Sequence, residues 1–557
     1  MSSLRKAVSI ESWKRVLARQ VESLRSDLAL KRLNARMAEI GPVSLVPGDK
    51  TVVADGMWWN PNHFFRLRLF IEALSGQGGY NLLGVLRTRS DTRQREAMQA
   101  IGFKEFVHIE DDEHRTDDFL AEADRLLATV TSHADLLALP LPGGLPAYTY
   151  FDTVLKLAAQ PRPALDHPLW RRSLAEVLRN ARIYEREFGH RNVAHVVLSH
   201  PWKSEWAGLV WASLQRSIPT YHLTGYCESI RIRRFLSATD YLTPVEHMPP
   251  ADFDELPAAV RSRLAAIGSA ALAKRASGSA SDINTRYAYD PQRRIADRTA
   301  ARQALSGQTE RPVALVCGHV WYDFPHTFGM TSFTDFRDWI EVTIARIRQV
   351  DDVVWLLKPH PTEQWYGGFR LSEAATDLPP HVHLLPTATD AQTALTAADA
   401  IVTVHGTIGI EAAAHGVPVL LADRSYFSDW GFAHAARDRA DYQRLLGEIA
   451  DLTPPDQTAR QRAQACFALA LAEPPLEVGA LQLRCDSSGA RLYDDIIERY
   501  DTDTVGLGRE IARIRAFLAQ HDLDSYAAHG LVETARRLEL AGQPVRPPLP
   551  SGQELRL

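Results

Sequence analysis

VVWLLKPHPTEQW (353–365) and HVHLLPTATDAQTALTAADAIVTVHGTIGIEAAAHGVPVLLAD (381–423) decide the reading of this chain. Their apolar, β-rich runs predict three strands, Val353 to Lys358, Ala400 to Val404 and Pro418 to Asp423. His-Pro stands at the exit of the first and HGTIG at the exit of the second, ahead of a helical pattern. A parallel α/β sheet binds ligands at the carboxyl ends of its strands, where loops lead into helices. Gly406 and Gly409 are then expected to let backbone approach a phosphate. Thr407 is expected to cap the helix and offer a hydroxyl, and the helix start to add partial positive charge. The layout points to a sugar-nucleotide site.

Lys358, His360 and Glu363 crowd the first exit. Pro359 and Pro361 hold the residues before them extended and aim the histidine, and a Lys/His pair can donate to a diphosphate. The alternative is a histidine that braces its own loop. Zinc is disfavoured, because no second histidine stands at i+4 and His381 and His383 lie across a spacer. Glu411 falls four residues after Thr407, on nearly the same helix face, where it can accept from a ribose diol or merely complement the helix dipole.

Upstream, Val313 to Cys317 reads as another strand, followed by a long aromatic loop with His319, Asp323 and His326. Loops longer than a connection requires tend to be functional. Trp321, Tyr322 and Phe324 can either flank a sugar or base or plug the gap between domains. An earlier strand-helix alternation spans Thr51 to Asp55, Leu82 to Leu86, Phe106 to Ile109, Leu136 to Leu139, Ala194 to Ser199 and Thr220 to Leu223. Strands alternating with helices imply a second parallel sheet covered on both faces.

Asp55, His63 and His200 end strands or open loops there and are candidates to take a proton from an acceptor hydroxyl. Glu228 with Arg231, Arg233 and Arg234 forms a polar cluster that reads as a solvated charge run or as contacts to an anion. Ala/Ser-rich sequence from about 236 to 290 reads as the connection between domains.

Composition sets the limits. A chain of 557 residues exceeds one ordinary core. The boundaries read as an N-terminal helical segment 1–45, a strand-helix acceptor domain 46–290, a strand-helix nucleotide-sugar domain 291–450 and a C-terminal helical segment 451–557. A net charge of -5 argues against a nucleic-acid partner. Four scattered cysteines suggest neither zinc nor a disulfide framework, and a cytoplasmic setting is expected. No apolar run reaches a membrane-spanning length. Residues 1–40 carry nine Lys/Arg against four Asp/Glu in an amphipathic pattern, which fits packing on the first domain or peripheral contact with an anionic membrane.

Taken together, CGHVWYDFPHTFG, LLKPHPTEQW, LLPTATDAQT and VTVHGTIGIEAAAHGVPVL with the following SYFSDWGF resemble the bacterial capsule polysaccharide biosynthesis glycosyltransferases, which include Kdo transferases. The resemblance covers roughly Val313 to Leu446, and DGMWWNPNHFFRLR adds support from the first domain. It implies a GT-B α/β fold, two Rossmann-like domains facing a cleft, here with extra N- and C-terminal helices. It implies transfer of a sugar, Kdo from CMP-Kdo among the candidates, to a surface or capsular glycan or glycolipid acceptor, with no cofactor or metal. Carried onto this chain, the group's motifs imply Lys358, His360, Gly406, Thr407, Gly409 and Glu411 as donor contacts, and Asp55 as the leading base. His319 and His405 join the expected donor site, and His200 and His360 join Asp55 in the expected catalytic set. His405 replaces a residue that is often arginine in the group, which leaves the donor open. A sugar-nucleotide 2-epimerase and a non-catalytic glycan-assembly protein are the alternatives.

Overall fold

The computed structural model describes residues 10–224, 230–244, 250–278, 283–363, 368–472, 489–520 and 525–526. Glu228, Cys227 and Cys485 lie outside them. In chain order the strands are β1 Val46–Asp55, β2 Gly79–Leu86, β3 Glu105–His108, β4 Asn192–Leu198, β5 Thr220–Thr224, β6 Arg231–Phe235, β7 Val313–Cys317, β8 Val354–Lys358, β9 Val382–Leu384, β10 Ala400–Thr403, β11 Val419–Leu421, β12 His434–Ala435 and β13 Ser525–Tyr526.

They form two sheets, ordered β13-β6-β5-β4-β1-β2-β3 and β12-β11-β10-β7-β8-β9. The second is wholly parallel; in the first, β6 and β13 run antiparallel to their neighbours. Every residue of β7, β8 and β10 is buried, as a parallel strand covered on both faces demands. Strand order reverses beside β1 in one sheet and beside β7 in the other, and those switch points are where an open α/β sheet leaves a crevice. The molecule is therefore α/β with two Rossmann-like sheets, the GT-B plan expected from the sequence.

One hydrophobic core runs from the first sheet to the second, joining Val53 and Val85 to Val316 and Trp355 through Tyr150, Phe151, Trp321 and Tyr322. Trp321, Tyr322 and Phe324 are thus buried packing and plug the interdomain gap rather than flanking a ligand. Polar contacts cross the same boundary. His326 Nδ1 lies 2.7 Å from Asp152 Oδ1, Lys156 Nζ donates to Asp323 at 2.6 Å, and Arg162 forks onto Asp335 at 2.8 and 3.0 Å.

Four sequence expectations meet different local physics. Leu136 to Leu139 is not a strand: Ser132 and Asp135 form a reciprocal capping box that starts a short helix, His133–Leu137. Arg231, Arg233 and Arg234 are neither solvated nor aimed at phosphate. They lie on β6, where Arg233 donates to the Asp240 carbonyl at 2.9 Å and Arg234 to that of Gln520 at 2.6 Å, each over a phenyl ring. Helix Ala258–Ala276, read as linker, shares the core of the second sheet through Val260, Leu264 and Ile267. The C-terminal helices divide: Gln457–Phe467 packs on the second sheet, whereas Gly489–Thr502 and Thr504–Ala519 return to the first.

The N-terminal helix, Ile10–Ile40, packs against Gly489–Thr502 with Ala29, Leu30 and Leu33 buried and Arg32 and Arg36 bonded to Asp494 and Asp501. Among the described residues no helix is long and apolar enough to cross a membrane.

The aromatic loop hangs on Asp423 at the exit of β11, which accepts from the backbone and hydroxyl of both Thr331 and Ser332 at 2.6 to 3.3 Å. Asp423→Ala strips four part-buried donors of their acceptor, at about 1–3 kcal/mol each where water does not replace the carboxylate. Urea denaturation should show a midpoint well below that of the wild type.

Candidate functional site

At the β7 switch point a cavity of about 130 Å³ is lined by Gly318, His319, Lys358, His360, Thr407 and Glu411, among others. Three strand exits meet there: Gly318-His319 after β7, Pro359-His360 after β8 and Gly406-Thr407 after β10. The Gly318 amide donates to the Lys358 carbonyl at 2.8 Å, stitching two exits together. A Cβ on Gly318 would come within 3.3 Å of that oxygen.

Lys358 is 6 % exposed, and among the described residues its ammonium has neither an ion pair nor a hydrogen bond. Burial pushes its pKa down, opposed by the nearby Cys317 and Asp390. A buried cation without a partner is costly unless an anion completes it.

His360 receives the Thr362 backbone N–H on Nδ1 at 3.3 Å, so its ring proton sits on Nε2. Burial, and then Lys358, push its pKa down to about 4, so the ring is neutral at pH 7 and donates as an N–H rather than as a cation. His319 shows the reverse pattern: Nε2 accepts from Val404 N–H at 3.3 Å, and the ring stacks on Phe336 at 4.5 Å. His405 lies 4.9 Å from His319 between Phe328 and Phe336, with Nδ1 buried and unpartnered. It does not line the cavity.

The glycine turn divides its labour differently from the sequence expectation. Gly406 lines the cavity, and its N–H bonds to Thr403 Oγ1 at 3.2 Å. Thr407 is the N-cap residue but makes no side-chain capping bond. Gly409 faces away: a Cβ there would meet Phe427 at 3.1 Å and Val419 at 3.3 Å, so it lets the helix lie close on the sheet and does not admit a phosphate. The helix itself, Ile408–Ala414, has only seven residues, which leaves the larger share of any anion stabilisation to Lys358 and His360.

Glu411 is 4 % exposed, bonded to Arg275 Nε at 2.8 Å and to the Tyr289 hydroxyl. Arg275 and Tyr289 also line the cavity, although both fall in the stretch whose sequence reads as the interdomain connection. Their signal was weak, because a lone arginine in an Ala-rich helix reads as solvated. Glu363 likewise proves structural, accepting from Trp321 Nε1 and Leu371 N, both at 2.6 Å.

Opposite, the exits of β1 and β4 hold a relay. Asp55 is fully buried and accepts from Ser199 N at 2.5 Å, Trp206 Nε1 at 2.8 Å, Met57 N at 3.2 Å and Ser199 Oγ at 3.2 Å. With the Ser199 hydroxyl proton committed to Asp55, Ser199 Oγ accepts from His200 Nδ1–H at 3.1 Å, and Nε2 carries the lone pair. Burial, then Lys203 and His63, push the His200 pKa down to about 3. His63 sits deeper, with Nε2 3.1 Å from the Asp55 carbonyl. Asp55 therefore orients His200 through Ser199 and is itself shielded from any substrate.

Asp323 joins the two faces. It pairs with Lys156 of the first domain and bears electrostatically on both Lys203 and His360. Among the described residues the one group with metal-holding geometry is Asp112, Glu113 and His114, outside this cavity, where Arg186 already pairs with Asp112.

Residues 259–445 match the family model described as capsule polysaccharide biosynthesis protein, and that span holds every residue lining the cavity. The resemblance read from the sequence is met there. A search of the curated proteins finds no match. Similar solved structures include the UDP-GlcNAc 2-epimerase of Neisseria meningitidis bound to UDP-GlcNAc, at 9 % identity over 76 % of this chain and 100 % of that one, TM-score 0.22. The beta Kdo 2,4 transferase KpsC of Thermosulfurimonas dismutans shares 13 % over 49 % and 79 %, TM-score 0.29. A mutant O-GlcNAc transferase of Thermobaculum terrenum shares 12 % over 89 % and 75 %, TM-score 0.26. Superpositions this loose say nothing of substrate.

Two outcomes test the site. Gly409→Ala should cost about 1–3 kcal/mol of stability through overpacking, read by urea denaturation. For His405, burial and then the field of His326 hold the folded pKa at about 3, against 6.5 when unfolded. The unfolded chain protonates first, so stability falls as pH drops from about 6.5 toward 3, by about 2 kcal/mol at pH 5. His405→Phe should flatten that slope in a pH series of denaturation curves.

Proposed function

We propose that this protein is a nucleotide-sugar-dependent glycosyltransferase that builds a capsular or other surface glycan. The observation that carries the reading is Lys358: a buried ammonium without a partner among the described residues, on the wall of a cavity that also holds His360. An activated sugar supplies the missing anion. The match of this segment to a capsule polysaccharide biosynthesis family supports the same reading.

In the proposed step the bond between the anomeric carbon and the donor's phosphate oxygen breaks, and one to the acceptor hydroxyl oxygen forms. The phosphate keeps the bonding electrons, and Lys358 with the Nε2–H of His360 stabilises its growing charge. The acceptor's proton passes to Nε2 of His200, which Asp55 and Ser199 hold in the proton-accepting tautomer. His319, Gly406 and Thr407 shape the phosphate end of the donor cavity. Glu411, fixed by Arg275 and Tyr289, lines the part of the cavity assigned to the ribose. CMP-Kdo is a candidate donor, by resemblance to the Kdo transferases.

Lys358→Met should abolish nucleotide binding in calorimetric titrations with CMP, UDP and GDP while leaving the circular dichroism spectrum unchanged. Removing the His360 donor should lower turnover by about 10²–10³-fold, the size of one oxyanion-type contact. Near-wild-type turnover in His360→Ala, followed by nucleotide release from a panel of CMP-, UDP- and GDP-sugars, would remove it from the mechanism. Conversion of a donor to its epimer without any acceptor would instead make the protein an epimerase.

A further inference from the structure

The first-domain face of the cleft carries three indoles around one histidine. Trp58 and Trp202 meet the His200 ring edge-on at 4.7 and 5.7 Å, and Trp206 lies tilted against it at 5.4 Å. Trp206 is 1 % exposed and belongs to the core, but Trp58 is 37 % exposed and Trp202 half-buried. Keeping two large indoles partly in water beside a strand exit costs apolar burial that a ligand can restore.

A cation stands next to them. Lys203 Nζ lies 5.5 Å from the Trp206 ring, and burial lowers its pKa. The charged groups that bear most on it are Glu205, Arg87, Lys156 and Asp323. Glu205 is already held by Arg87 at 2.6 Å and Asp323 by Lys156 at 2.6 Å. Two carboxylates thus each have their own cation, and Lys203 is the odd one, with no ion pair among the described residues.

We infer that this face binds the acceptor as a pyranose ring laid against Trp58 and Trp202, with an anionic substituent of that glycan, a carboxylate or a phosphate, paired to Lys203. This rests on the transferase reading above and supplies its acceptor class. The apolar C–H face of a pyranose suits an indole, and the ring then sits beside His200, where the acceptor hydroxyl must lose its proton. The anion has a second effect. Burial first, and then the field of Lys203, depress His200; an anion neutralising Lys203 removes the second cause and makes His200 a better base once acceptor is bound.

The test uses the full-length protein and three probes: methyl glucuronide, glucose 1-phosphate and the uncharged methyl glucoside. Binding is read by tryptophan fluorescence and ligand-observed NMR. At least one anionic probe should bind about tenfold tighter than the neutral glycoside, the scale of one charge-assisted contact. Whichever anion binds tighter identifies carboxylate or phosphate as the recognised group. Lys203→Met should erase the preference, Lys203→Arg should keep it, and Trp202→Leu should weaken all three probes alike.

Equal binding of charged and neutral probes, no binding of any, or a preference that survives Lys203→Met overturns the proposal. So does a loss of CMP or UDP affinity in Lys203→Met, since that would move Lys203 to the donor. If the wild type binds no nucleotide, the transferase reading fails separately, because the pyranoside preference is measured without nucleotide.

Discussion

The segment between β7 and helix Phe336–Ile347 is pinned by carboxylates at three points, and the geometry of the cleft depends on it. Asp423 holds Thr331 and Ser332 to the second sheet, Asp152 takes His326 across to the first domain, and Asp335 both caps the following helix and receives Arg162 from the other side. Each of these carboxylates is nearly or fully buried, so each contact is strong when made and costly when broken. The buried aromatic side chains of the same segment join the two cores. Strand exits from separate sheets can cooperate only if their separation is fixed, and this segment fixes it.

Burial also sets the charge state of the cleft. His200, His319, His360 and His405 all have pKa values pushed down by desolvation, so four imidazoles near the switch points are neutral at pH 7. The positive charge available to an anion comes from Lys358 on one face and Lys203 on the other. Histidine contributes direction and Lys contributes charge. On the proposed reading, an anion arriving at Lys358 or Lys203 would not have to break an internal salt bridge first.

Much of this was legible in the sequence because parallel strands buried on both faces must be apolar runs, and β7, β8 and β10 are such runs. The exits followed, with Lys358 and His360 placed by the prolines around them. What escaped was set by distant packing. Arg275 and Tyr289 reach Glu411 across more than a hundred residues, and no local pattern announces such a contact. Gly409 looked like a phosphate-binding glycine, although the proximity of Phe427 and Val419 is what requires it. Asp55 looked like a base because it ends a strand; only the four donors around it show that its carboxylate is spoken for. The run of arginines at 231–234 read as solvated until a partner strand and backbone carbonyls accounted for it.

The two cleft histidines are set in opposite tautomers by neighbours that have no choice of role. A backbone N–H can only donate, so Thr362 leaves the proton of His360 on Nε2. A carboxylate can only accept, so Asp55 draws the Ser199 hydroxyl and leaves the lone pair of His200 on Nε2. The two rings are therefore protonated on opposite nitrogens, and neither is charged at pH 7. Group transfer between two oxygens needs that asymmetry, because the leaving oxygen gains charge as the entering oxygen sheds its proton. In the proposed transfer, two rings protonated on Nε2 would leave the acceptor without its base, and two bare ones would cost the leaving phosphate a donor. The asymmetry follows from the two loops themselves, each of which fixes its histidine through the Nδ1 side and turns Nε2 outward from that anchor.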